Sequence, residues 1–130
     1  MIKVDEFIRN ISSCSEPHSH YSDCLKALWW AQKGNWVKAH DIAQEEGTIL
    51  GDWIHAYLHR LEGDLGNAAY WYNRASRPVK QDESLEEEWK EITAYFLSLE
   101  KIAHCHMLIF RIQLLLVLLV LLLKIHLISH

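Results

Sequence analysis

The chain has 130 residues, of which 50% are apolar and 23% charged, a length and composition that fit one small globular domain and exclude a multidomain enzyme. The 13 Lys and Arg against 17 Asp and Glu leave a net charge of -4, so no basic excess is available to neutralise phosphates and no nucleic-acid partner is expected. Three cysteines are too few for a secreted disulfide scaffold, which favours reduced thiols and a cytoplasmic location.

The N-terminal region carries the spacing of one short helix. Charged residues interrupt its apolar positions, so no signal peptide is expected. Apolar residues at positions 4, 7, 8 and 11 recur at the period of a helical face and predict a helix over about residues 2–11. A Ser-rich stretch containing Pro17 follows and predicts a loop.

Glycine followed by a helix-capping residue occurs at Gly34-Asn35 and at Gly63-Asp64. Glycine accepts the positive φ that ends a helix, and Asn or Asp accepts a hydrogen bond from a free backbone N–H of the next one. Together with the apolar spacing, these signals predict four helices. They run from Ser22 or Asp23 to Gly34, from Asn35 to Gly47 and Gly51, from near Asp52 to Gly63, and from Asp64 to before Pro78.

Each predicted helix has an apolar stripe at helical spacing, and no segment alternates with the period of a strand. The stripes are 25/28/29/32, 36/39/40/43, 54/57/58/61 and 65/68/69/72/75. A final helix is predicted to begin at the capping box formed by Ser84 and Glu87, with Glu86, Glu87 and Glu88 facing water. Its stripe is Leu85, Trp89, Ile92, Phe96 and Leu99. The fold class predicted is therefore all-α.

The two glycine turns lie 29 residues apart, so the chain contains two helical hairpins in tandem. The second hairpin resembles the tetratricopeptide repeat through Gly63, Asp64, Leu65, Ala68, Tyr72 and Ala75, and the first through Gly34, Asn35, Trp36 and Ala39. The resemblance covers residues 22–79. Residues 53–75 are also similar to a family of short bacterial proteins with no assigned activity.

The tetratricopeptide resemblance implies tandem antiparallel helical hairpins, a fragment of an α-solenoid, covered by a capping helix. The apolar composition of the tail adds a hydrophobic C-terminal helix. It implies a protein- or peptide-binding module and no reaction. The chain is accordingly divided into an N-terminal helix and loop (1–21), a helical-repeat domain (22–103) and a leucine-rich tail (104–130).

Six aromatic or arginine side chains of the second hairpin are predicted to line a partner-binding surface. Trp, Tyr and Arg dominate the energetics of protein interfaces, and a small helical core does not need all the rings present. The six residues are Trp53, Tyr57, Arg60, Tyr70, Trp71 and Arg74. Inter-hairpin packing is the alternative interpretation of the same residues.

A rival hypothesis is a small metal-binding protein or metal-dependent hydrolase. His55, His59 and Glu62 lie at i, i+4 and i+7 and project from one side of a helix, as zinc ligands do. Ala56 stands where a zinc hydrolase motif would place its catalytic Glu, so the sequence favours a protein that is not an enzyme. No cofactor is expected, and zinc is the alternative. A second candidate zinc cluster, Cys14, His18, His20 and Cys24, has ligand types that suit the metal but an unusual spacing.

The leucine-rich tail predicts a membrane contact. Residues 107–123 are almost wholly apolar, near the lower length limit for crossing a bilayer, with Arg111 inside and Lys124 after them. The protein is therefore predicted to be cytoplasmic, or membrane-anchored and facing the cytoplasm. A buried or partner-binding helix and a non-native chain end beyond about residue 103 are the alternatives.

Overall fold

The structure, a computed structural model, describes residues 3–129, and over that range the chain is helical with no strand, which confirms the all-α class. Residues 1, 2 and 130, which belong to the predicted terminal regions, lie outside this range. The helices are α1 (Val4–Ser13), α2 (Asp23–Lys33), α3 (Trp36–Glu46), α4 (Ile49–Glu62), α5 (Leu65–Arg74) and α6 (Leu85–Ile128).

The chain forms two compact units, Met1–Leu97 and Ser98–His130. Helix α6 contributes to both, because it continues without a break through residue 103, the predicted end of the capping helix. All of the buried apolar side chains in the described range belong to the first unit.

Three connections of only two residues join α2 to α5, and all three have the same chemistry. In each, a glycine with positive φ ends one helix, and the next side chain accepts a hydrogen bond of 3.1 Å from the backbone N–H three residues further on. The connections are Gly34-Asn35, Gly47-Thr48 and Gly63-Asp64. The two turns predicted from the sequence are thereby confirmed, and the third has the same form.

The predicted start of α4 near Asp52 is wrong, because Thr48 caps this helix and it begins at Ile49. Gly51, expected to mark the end of α3, instead lies in the first turn of α4. A Cβ atom at this position would lie 2.8 Å from Cγ of Glu46. Glycine therefore allows the start of α4 to approach the last turn of α3 closely.

Helix α4 is the centre of the first unit. Residues 51–60 are all buried, since α2, α3 and α5 pack against this helix. A buried helix has no single apolar stripe, and its polar side chains must find partners inside the protein. Three positions of the predicted stripes, Gln32, Leu61 and Leu65, are exposed instead.

Three tryptophan side chains tie helices together through their indole N–H groups. Each donates to an acceptor on another helix, so these large rings pack between helices without leaving their indole donors unpaired. The pairs are Trp29 to Oδ1 of Asn10 at 2.9 Å, Trp36 to the carbonyl of Leu58 at 2.7 Å, and Trp89 to the carbonyl of Leu28 at 3.0 Å.

The prediction that all three glutamates of the first turn of α6 face water is wrong for Glu88, which is 1% exposed. Its carboxylate accepts hydrogen bonds of 2.5 Å from the Arg60 guanidinium and from the Tyr72 hydroxyl. Arg60 also donates to the carbonyl oxygen of Glu83. The carboxylate is buried because a cation from α4 and a hydroxyl from α5 compensate its lost hydration.

Candidate functional site

A cluster of three histidines forms where α3 packs against α4. His55 and His59 are one turn apart on α4 and therefore project from the same side of it, and His40 reaches them from α3. One ligand nitrogen from each ring lies within 4.8 Å of the others. The Nε2 atoms of His40 and His55 are 2.8 Å apart, a hydrogen bond in which one ring donates and the other accepts.

Two tryptophans hold the rings of this histidine cluster in place. Trp36 stacks on His40 with ring centroids 4.6 Å apart, and Trp71 stacks on His55 at 3.8 Å. Trp36 is itself anchored through its bond to the carbonyl of Leu58. The imidazoles are thus enclosed by aromatic faces contributed by α3 and α5, with α4 between them.

A carboxylate and an amide lie beside the third imidazole. Oε1 of Glu62 is 2.7 Å from Nδ1 of His59, and the Asn67 amide nitrogen lies 3.3 Å from Nε2 of the same ring. A hydrogen on Nδ1 is donated to Glu62, and the lone pair on Nε2 of His59 accepts from the Asn67 amide. Glu62 therefore orients this ring.

Burial disfavours the charged form of two of the three imidazoles. It lowers the pKa of His55 to about 4, and the neighbouring His40, His59 and Arg74 act in the same direction. The pKa of His40 is also lowered, first by burial and then by His59. Burial thus favours the uncharged form of His40 and His55, which is the form that binds metal ions.

The structure rearranges the predicted ligand set. In the described part of the chain, the groups with metal-binding geometry are His40 with His55 and His59, and His59 with Glu62 and Asp64. Neither group combines His55 with Glu62. The sequence placed His40 on the stripe 36/39/40/43 of its helix, and only the packing of α3 on α4 shows which side chains it meets.

The cysteine and histidine loop before α2 does not assemble into a metal site among residues 3–129. No three of its ligand atoms form a group of metal-binding geometry. Cys24 is buried, and burial raises the pKa of its thiol to about 12. His18 bonds to the Asn10 amide at 2.7 Å and stacks on His20. These contacts are those of a packed loop.

The six residues of the predicted partner-binding surface separate into two groups. Trp53, Tyr57 and Arg60 are buried, with exposures of 2%, 3% and 5%. Tyr70 and Arg74 are exposed and Trp71 is half-buried, so this half of the set lies at the surface. The buried rings serve the core, and burial raises the pKa of Tyr57 to about 12.

The exposed half forms a small aromatic and cationic surface on α5. The Arg74 guanidinium lies 4.9 Å from the Trp71 ring and 5.9 Å from the Tyr70 ring, and its Nε is 3.3 Å from Oδ2 of Asp52. Arg77, which sequence reasoning did not single out, lies 3.7 Å over the buried Trp53 ring. No spacing rule indicates that contact, because it depends on the turn after α5.

The last feature is the apolar half of α6. All of the side chains from 101 to 129 are exposed, including the whole run 107–123. Helix α6 is long and apolar enough to cross a membrane by length and composition. Its most apolar 18-residue window has a mean hydropathy of 2.6, and no part of that window is buried.

Comparisons with known proteins give no match: no protein-family model, no curated protein and no solved structure matches the chain.

Proposed function

We propose that the chain is a noncatalytic helical scaffold, held at a membrane by residues 107–123, that binds a protein or peptide partner on the cytoplasmic side. The observation that carries this proposal is the exposure of the entire apolar run. Soluble proteins rarely expose apolar patches larger than a few hundred Å². Insertion into a lipid bilayer would remove these apolar side chains from water.

The distribution of apolar residues favours spanning over lying at the membrane surface. Residues 114–123 are apolar on every side of the helix, whereas an interfacial helix has one polar face. Residues 107–128, about 22 in number, extend about 33 Å as a helix, close to the ~30 Å hydrocarbon core. Arg111 and Lys124 are long enough to reach the two interfaces from inside this length.

The flanking charges support a cytoplasmic first unit. Lys101 precedes the apolar run and Arg111 lies near its first residues, against Lys124 after its end, and cationic residues favour the cytoplasmic side. The free thiols of Cys14 and Cys24 agree with a reducing compartment.

For the first unit, we infer a tetratricopeptide-like pair of hairpins, α2 with α3 and α4 with α5. The support is the shared turn chemistry and the equivalent small residues Ala39 and Ala68, which are 0% and 1% exposed and permit close helix contact. Tyr72 is fully buried at the position where the tetratricopeptide pattern has a ring. Stacked hairpins of this kind serve as binding surfaces for other proteins.

The anchor is tested by alkaline extraction of membranes from cells that express the full chain, residues 1–103, or the variants Leu118→Arg and Leu118→Ala. We expect the full chain and Leu118→Ala in the membrane pellet. A charge near the bilayer centre costs about 3 kcal/mol, so Leu118→Arg shifts to the supernatant together with residues 1–103.

Release of the full chain by alkali would overturn the anchor. A full chain that stays soluble in complex with another protein would indicate a partner-binding helix. Inclusion bodies formed by the full chain alone, with a soluble and helical 1–103, would point to a non-native end.

The partner surface is tested by the double variant Tyr70→Ala/Arg74→Gln, with Val37→Ala as a control on the exposed face of α3. Because aromatic and arginine side chains dominate interface energies, we expect at least a tenfold weaker capture of a cytoplasmic protein by the double variant. Circular dichroism must show unchanged helicity. Equal capture by all three chains would contradict this surface.

A further inference from the structure

We propose that His40, His55 and His59 form a binding site for a divalent transition-metal ion, with Zn²⁺ as the expected occupant. This inference is independent of the anchor and of the partner surface, since it rests only on contacts within the first unit. The sequence indicated the ligand set His55, His59 and Glu62, and in the site proposed here His40 takes the place of Glu62.

The distances suit the ion. In a tetrahedral zinc site the metal lies about 2.0–2.1 Å from each nitrogen, so two ligand nitrogens are separated by about 3.3 Å. The Nε2 atoms of His40 and His55 are 2.8 Å apart, and the nitrogens of all three rings are within 4.8 Å. Small ring rotations bring the three nitrogens to zinc distances. The imidazole that donates the Nε2–Nε2 hydrogen bond changes tautomer, so that its hydrogen moves through water from Nε2 to Nδ1, and both Nε2 lone pairs then bind the metal.

The chemistry of the donors selects the class of ion. Three imidazole ligands suit zinc, copper and nickel, whereas Mg²⁺ and Ca²⁺ require oxygen ligands. Three protein ligands also leave a fourth position for a water molecule. The site is therefore expected to bind Zn²⁺, Ni²⁺ and Cu²⁺ and to ignore the two hard cations.

Neighbouring side chains fix the orientation of the three imidazoles. Glu62 accepts from Nδ1 of His59 at 2.7 Å and so keeps the lone pair of this ring on Nε2, the arrangement in which a carboxylate orients a zinc-bound histidine. Metal binding replaces the hydrogen bond of 3.3 Å that this Nε2 accepts from the Asn67 amide. Trp36 and Trp71 stack on the other two rings and restrict their rotation. Glu62 is thus a positioning residue for His59.

The test is titration of Zn²⁺ into the purified full chain in detergent at about pH 7.5, with a chromophoric chelator as competitor. We expect one tight site per chain, a change in tryptophan fluorescence because two indoles stack on the ligands, and a melting temperature raised by about 10 °C at hundredfold excess over Kd. Mg²⁺ should produce none of these changes. Co²⁺ should give the visible absorption bands of a tetrahedral site.

His40→Gln is the decisive variant, since His40 is half-buried and its replacement is the one least expected to disturb folding. It should weaken Zn²⁺ binding by on the order of 100-fold, and Glu62→Gln by about 10- to 100-fold, both with circular dichroism unchanged. His18→Gln/His20→Gln and His104→Gln/His106→Gln remove exposed histidines outside the cluster and should leave the affinity unaltered.

Two results would overturn the proposal. One is Zn²⁺ affinity in the full chain no tighter than in His40→Gln, which would leave the cluster as packing only. The other is affinity lost in Glu62→Gln and kept in His40→Gln, which would restore the ligand set His55, His59 and Glu62.

Discussion

At the scale of single residues, Gly63 and Gly66 differ in backbone conformation, because Gly63 has a positive φ and Gly66 lies within a helix. Gly63 has a φ of +92° and no atom near its missing side chain, so a larger residue there suffers only from backbone strain. Gly66 lies in the first turn of α5, and the nearest atom to an added Cβ is 3.9 Å away. Glycine is required at the first position and only lowers helix stability at the second.

Gly63→Ala should therefore lower the free energy of unfolding by about 1–2 kcal/mol, because an L-residue in the left-handed region is strained. Gly66→Ala, its matched control, should raise that free energy by roughly 0.5–1 kcal/mol. Urea unfolding of both variants measures the two changes. Equal effects of the two substitutions would show that the turn does not hold Gly63 at positive φ.

The turn residues are also where the sequence was most informative. Gly34-Asn35 and Gly63-Asp64 act through local backbone chemistry, which is visible in a single sequence. Gly47-Thr48 works in the same way, but the presence of Gly51 four residues later led to a predicted start of α4 near Asp52, later than the observed start at Ile49. Gly51 is explained by a contact between two helices, which local patterns do not contain.

At the scale of helices, the first turn of α6 is joined to α4 and α5 through the carboxylate of Glu88. The partners are the Arg60 guanidinium and the Tyr72 hydroxyl, and the pKa of Tyr72 is raised, first by burial and then by its hydrogen bond to Glu88. A buried carboxylate stabilises the fold only while its hydrogen-bond and ion-pair partners remain. Removal of its charge leaves a buried cation with no counter-charge.

Glu88→Gln is expected to lower the free energy of unfolding by about 3–5 kcal/mol, the range found when a buried ion pair loses one member. Glu87→Gln is the control, since this exposed neighbour has the same helix propensity and the same position near the helix dipole. Thermal unfolding followed by circular dichroism compares the two. Coincident melting curves would show that Glu88 is solvated as the sequence suggested.

The helix scale also explains why half of the predicted partner surface is buried. The sequence spacing of Trp53, Tyr57 and Arg60 shows that they lie on one helix, α4. It does not show which other helices cover α4. Because three helices surround it, residues that are too polar or too large for a simple stripe become internal and acquire partners. On α5, which has one covered side, Tyr70 and Arg74 stay exposed as predicted.

At the scale of the whole molecule, the chain consists of a unit with a buried core and an apolar segment whose side chains are exposed. The first unit contains the buried core, and residues 101–129 contribute no buried side chain. The change of composition near residue 104 was visible from the sequence. The histidine cluster was visible only in part, because His55 and His59 share one helix while His40 joins them through tertiary packing.

The two-residue connections between α2 and α5 also restrict how the length of this chain can vary. One residue added to a helix rotates everything after it by about 100°, and connections this short cannot absorb the rotation. An insertion in α3 after His40 would turn α4 and move both of its histidines away. Gains and losses of residues should be tolerated instead in the longer segments 14–22 and 75–84, so natural length differences among descendants of this sequence should accumulate there.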